Sequence, residues 1–211
     1  MALSLDSFAR EGILDFVRPL TVGLDGMTEF GYVERLLRIV ERLKNELSAG
    51  NPPEFVDEGK LFLLAAFANV PAGRVAPDSR SDLLLKSAGI PSEEIRSLVL
   101  SLKRVEKDPA TTEEKIVHDA MLLESVGAYG VTQILVAATR ERMTLAEMAE
   151  ELESKMRSVR FTTPAALRLA AGRIEFAETF ARRLAEEVAE FEAPVSRGSG
   201  PLAGKHNQGD S

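Results

Sequence analysis

Of the side chains that most often bind metals or move protons, this 211-residue chain has no cysteine and only two histidines, His118 and His206. Disulfides, thiolate nucleophiles and cysteine zinc sites are thereby excluded, and sites needing several histidines are disfavoured. The sequence has no glycine-rich phosphate loop ending in Lys-Ser/Thr, no dinucleotide fingerprint after a strand and no paired histidines on a helix. A Ser-His-Asp arrangement would have to use His118 or His206. The chemically unusual stretch runs from Glu113 to Gly130, where His118 adjoins Asp119 ahead of the small-residue turn Gly127-Ala128-Tyr129-Gly130. Neighbouring helix positions point about 100° apart, so His118 is expected to face away from the pocket that Asp119 faces. A buried Asp119 must find hydrogen-bond donors, contact a ligand, or take a raised pKa.

This stretch resembles the segment around the distal aspartate of the HD-domain phosphohydrolases, in which an aspartate-alanine pair on a helix precedes a Gly-Ala-x-Gly turn. Further pieces follow in the family's order. Tyr32-Val33-Glu34-Arg35-Leu36-Leu37-Arg38 resembles its histidine-opened helix, and Leu63-Leu64-Ala65-Ala66-Phe67-Ala68 the helix before its His-Asp pair. Gly89-Ile90-Pro91-Ser92-Glu93-Glu94-Ile95 resembles the lead into the next helix. Phe161-Thr162-Thr163-Pro164, Leu169-Ala170 and Arg173-Ile174-Glu175-Phe176 resemble the closing helix. The likeness spans about residues 28 to 190.

The resemblance implies four ligand stations holding one or two divalent metals that activate water for attack on phosphate. In this chain Tyr32 stands at the first histidine, Asn69-Val70 at the His-Asp pair, and the later histidine position falls near Val105. Only Asp119 remains, and one carboxylate cannot hold a catalytic divalent ion against water. No catalytic residue and no metal ligand is therefore assigned. The implied protein is a degenerate, non-catalytic relative that binds a protein partner or a phosphorylated, nucleotide-like ligand in the old pocket. Tyr32, Asn69, Asp119 and Lys103 would line that pocket, with Lys103 or Arg104 replacing the missing metal charge. Their ordinary reading is a solvated helix surface.

Two other readings compete. A working phosphohydrolase could hold a divalent metal such as Mg or Mn through Asp119 and carboxylates such as Asp57, Asp78 or Asp82, since magnesium keeps waters and needs few protein ligands. A helical interaction module could dimerise through the last helix, where Leu167, Ala170, Ile174, Ala177, Ala181, Leu184, Val188 and Phe191 recur at three-four spacing. Packing within the domain would use the same seam.

The elements that must position these residues read as all-α, a single HD-like helical domain over residues 1–193 with a long C-terminal helix. Helices are expected near Asp6–Val17, ended by Pro19, Gly23 and Gly26; from Thr28 to Gly50; and from Glu54 to Val70, before Pro71 and Gly73. A short helix near Ser81–Ser87 ends at Gly89, and Ser92 is expected to cap Glu93–Lys107. Thr111 with Glu114 and Thr144 with Glu147 read as capping boxes. Thr163 and Pro164 open the last helix, which continues to Glu192. Residues 194–211 carry Gly, Ser and Pro with little apolar content and are expected to form a disordered tail.

Composition sets the remaining bounds. With 45% hydrophobic and 28% charged residues the chain can bury a real core. A net charge of −7 argues against a broad nucleic-acid or anionic-membrane surface. The N-terminus lacks the uninterrupted apolar run of a signal peptide, and Leu61–Ala68 is too short to span a bilayer, so a cytoplasmic setting is expected.

Overall fold

The computed structural model describes residues 3–21, 30–49, 55–70, 74–75 and 78–192. These residues form α1 (Ser7–Leu20), α2 (Phe30–Ser48), α3 (Glu58–Phe67), α4 (Arg80–Ser87), α5 (Ser92–Val105), α6 (Thr112–Glu124), α7 (Gly127–Glu141), α8 (Leu145–Ser158) and α9 (Pro164–Glu192), with no strand among them. The all-α, single-domain architecture with a long C-terminal helix is the expected one. Thr28, the Asn51-Pro52-Pro53 break and the expected tail lie outside the described residues.

Two hydrophobic clusters build the interior. In the first, α3 is buried along its apolar run from Leu61 to Phe67 and packs with Leu36 and Leu43 of α2, Ile116 and Leu123 of α6, and Ala166 and Ala170 of α9. The second joins Val131 and Ile134 of α7, Leu152 and Met156 of α8, and Ala177 and Ala181 of α9. Small side chains along one face of α9 let α7 and α8 lie close against it. The α9 seam is thus largely covered from within the domain: Ala170, Ala177 and Ala181 are fully buried, while Leu167 and Phe191 remain exposed.

Helix ends follow local chemistry, with several departures from expectation: α3 ends at Phe67 and not at Val70, and α7 forms where no helix was expected. α1 continues through Pro19 to Leu20, because a proline this near the end forfeits only one N–H bond and its fixed φ suits a helix. α3 starts at Glu58, later than expected, since the Asp57 side chain accepts from the Lys60 N–H at 3.0 Å and fixes the start there. Asp57 also accepts from Leu3 N at 2.8 Å, tying down the N-terminal segment. Ser92 is the first residue of α5 and not its cap; Pro91 holds the cap position with no side-chain hydrogen bond. Both expected capping boxes form, at Thr111/Glu114 and Thr144/Glu147.

The α5–α6 corner carries a buried ion pair. Glu114 is fully buried and takes both nitrogens of the Arg104 fork, Nε at 3.3 Å, together with the Ala110 N–H at 2.8 Å. Burial alone would raise this carboxyl, but Arg104 and the Ala110 and Thr111 N–H groups outweigh it and hold the pKa at about 2. A folded-state pKa below the unfolded value stabilises the fold above about pH 4.5 and loses that contribution as the pH falls toward 2. Urea midpoints followed from about pH 5 down to pH 2 are expected to fall more steeply in the wild type than in Arg104→Gln, in which Glu114 loses its partner. Parallel profiles would remove Glu114 from the acid response.

Candidate functional site

A hollow of about 280 Å³ opens where α2, α6 and α7 meet the ends of α3 and α5. Its walls include Tyr32 from α2, Asn69 just past α3 and Glu106 just past α5. α6 contributes His118, Met121 and Leu122, followed by Ser125, and α7 contributes Gln133. Beside it lies a more open hollow of about 510 Å³ that includes Asn69, Val70, Leu102, Lys103, Glu106 and Lys107. Asn69 and Glu106 line both. Tyr32 and Asn69 line the first hollow, and Asn69 and Lys103 the second.

Asp119 faces elsewhere. It is fully buried, and its Oδ1 accepts from Thr162 N at 2.8 Å and Thr162 Oγ1 at 3.1 Å, while Oδ2 accepts from Thr163 N at 2.8 Å and Thr163 Oγ1 at 2.6 Å. Thr163 Oγ1 in turn accepts from Ala166 N at 3.2 Å, capping α9. A carboxylate on α6 thus anchors the start of α9, at the end of a helix where negative charge is favoured. Neither Tyr32 nor Asn69 is among its donors.

His118 points the other way, as helical geometry requires, but it is His118 that lines the hollow. Its Nδ1 donates to the Val105 carbonyl at 2.7 Å, and Nε2 lies 3.4 Å from the Arg160 carbonyl. The half-buried face of α6 is His118, Met121, Leu122 and Ser125, at three-four spacing. The opposite face, Ile116, Asp119, Ala120 and Leu123, is buried.

Behind the first hollow, Tyr32 is buried; this burial, reinforced by the nearby Glu124 carboxylate, pushes its phenol well above the usual tyrosine range, so it stays protonated. Glu124 is 6% exposed and accepts from Arg35 Nε at 3.0 Å. The Arg35 guanidinium also stacks on the Tyr129 ring, 4.4 Å from its centroid, and donates to the Tyr129 hydroxyl. The Gly127–Gly130 segment is the first turn of α7. Gly127 adopts φ +76°, and Gly130 lies against the Ser125 carbonyl. Arg35→Met is expected to destabilise the fold by about 2 kcal/mol, because the buried Glu124 loses its guanidinium partner. Arg35→Lys is expected to recover little, since an ammonium can neither fork nor stack. Urea denaturation of both variants checks this.

The donor set does not suit a divalent metal. Tyr32 is a protonated phenol, Val70 is aliphatic, and both oxygens of Asp119 are taken up by threonines. Two of the three carboxylates named in the magnesium reading are engaged locally. Asp57 caps α3, and Asp82 accepts from Lys86 Nζ at 2.7 Å and Asp78 N at 3.0 Å. Among the described residues, no three His, Cys, Asp or Glu side chains come together so as to hold an ion. No single described helix is long and apolar enough to cross a membrane.

No protein-family model matches the sequence, and no curated protein matches it. Solved structures do. The Lin1889 protein of Listeria innocua superposes with a TM-score of 0.66 at 19% identity, over 85% of this chain and 97% of its own. An HD-superfamily hydrolase from Bacillus thuringiensis gives a TM-score of 0.61 at 16% identity, over 88% and 97%. The chain has an HD-like fold. YpgQ of Bacillus subtilis, solved in complex with ADP, matches the same HD-like fold with a TM-score of 0.59 at 18% identity, over 85% of this chain and 95% of its own.

Proposed function

We propose that this HD-like chain is a non-catalytic binding protein that takes a small phosphorylated, nucleotide-like ligand across the two hollows joined at Asn69. The observation that carries the reading is the Asn69 side-chain nitrogen, which is buried and has no hydrogen-bond partner. An unpaired buried donor costs about 1 to 3 kcal/mol, and it sits in the wall common to both hollows, where an acceptor oxygen of a ligand would satisfy it. Lys103, in the last turn of α5, and Lys107, just past its end, bring positive charge to the open hollow and suit phosphate oxygens. Met121 and Leu122 give the other hollow an apolar wall, with Ser125 and Gln133 as polar edges for a ring system. The ADP complex of YpgQ supports the ligand class. The lack of metal-binding side chains at Tyr32, Asn69 and Val70 supports binding without hydrolysis.

Calorimetric titration with ADP, in chelator and again with Mg or Mn, tests this. Binding is expected in chelator and is expected to weaken by roughly tenfold in Lys103→Ala/Lys107→Ala, the loss of a charge-assisted contact. Asn69→Leu is expected to abolish binding while stabilising the free protein by about 1 kcal/mol, because it removes the unsatisfied donor. Hydrolysis of ADP that requires added metal would overturn the non-catalytic reading, and no binding in any condition would overturn the ligand class.

A further inference from the structure

Between α7 and α8 opens another hollow of about 430 Å³, which shares Gln133 with the hollow at Tyr32 and Asn69. Ile134, Ala137, Ala138 and Met143 give it an apolar wall, Arg140, Glu141 and Glu151 line it as well, and Lys155 reaches it from the last turn of α8. Lys155 is unlike the paired lysines of the fold. Lys44 sits 2.8 Å from Glu41 and 3.1 Å from Glu58, and Lys86 sits 2.7 Å from Asp82. Lys155 is half-buried, and among the described residues its ammonium makes no ion pair or hydrogen bond. Burial lowers its pKa below the usual lysine value, with only Glu151, one turn away, opposing the shift, whereas the pairing carboxylates raise that of Lys44. A partly desolvated amine favours its neutral form, and the neutral form is the nucleophile.

We propose that the α7–α8 hollow is a covalent capture site for a small apolar aldehyde, with Lys155 Nζ as the nucleophile. The Nζ lone pair adds to the carbonyl carbon and forms the C–N bond. The carbonyl oxygen then leaves as water with the two amine hydrogens, giving an imine, so nothing is oxidised or reduced. The apolar walls hold the alkyl chain.

Butanal with cyanoborohydride at neutral pH, followed by peptide mass spectrometry, reads the site directly. Lys155 is expected to be alkylated several-fold faster than Lys107 or Lys115, with the preference lost in urea. Ala137→Leu fills the exposed rim without entering the core and is expected to slow labelling at Lys155 alone. Glu151→Gln is expected to speed it, because removing a nearby carboxylate favours the neutral amine. Equal rates at the three lysines would overturn the proposal. An unchanged Lys155 rate in Ala137→Leu would overturn the hollow as a capture site.

Discussion

Asp119→Ala is expected to cost about 4 kcal/mol of folding stability, the range seen when a buried charge network loses its central member. The four bonds reaching Asp119 come from two backbone N–H groups and two hydroxyls at the start of α9. Deleting the carboxylate leaves the buried Thr163 N–H with no acceptor, and Thr163 loses the bond that orients its cap on Ala166. Asp119→Asn keeps one acceptor oxygen but turns an amide N–H₂ toward donors, so about half the loss is expected. Urea denaturation at neutral pH measures both variants. A wild-type midpoint for Asp119→Ala would show that the anchor contributes nothing. ADP titration of whichever variant remains folded separates this role from ligand binding.

Gly130→Ala is expected to cost about 3 kcal/mol, at the upper end of overpacking effects, because the new methyl group meets backbone that cannot move aside. A Cβ built at Gly130 would lie 2.1 Å from the Ser125 carbonyl oxygen. That carbonyl belongs to the break between α6 and α7, which sets how α7 approaches the Asn69 region. Gly172→Ala on the exposed face of α9 is the control: nothing lies within 4 Å of its Cβ position. There the substitution is expected to stabilise by about 1 kcal/mol through helix propensity. Thermal or urea melts of the pair should shift in opposite directions, and a shared direction would refute the steric argument.

The fold was legible wherever a signal is local. Three-four periodicity, both capping boxes, the Gly89 stop at φ +79° and the Thr163-Pro164 start all depend on residues within a few positions of each other. α5 shows the limit of such signals: a serine followed by acidic residues reads as a cap, but Pro91 fixes the backbone one residue earlier. The grouping of Tyr32, Asn69 and Lys103 depended on resemblance alone, since no spacing within one helix brings three helices together. The orientation of Asp119 was not legible, because its partners Thr162 and Thr163 lie over forty residues away and were recognisable only as the start of a helix. Glu106 and Gln133 were missed for a related reason: each has an unremarkable neighbourhood in sequence and gains its place only from where α5 ends and α7 turns.

The single long helix α9 places one further constraint on the molecule. Ala165, Ala166 and Ala170 belong to the first hydrophobic cluster, and Ala177 and Ala181 to the second, with Phe161 and Ile174 packed against both. Neither cluster can lose its α9 wall while the other keeps it, unless the helix breaks in the middle. Opening fluctuations that would expose one half alone are therefore suppressed, and the protein should lose its order in one cooperative step. The Asn69 region and the Lys155 hollow share that single threshold of integrity.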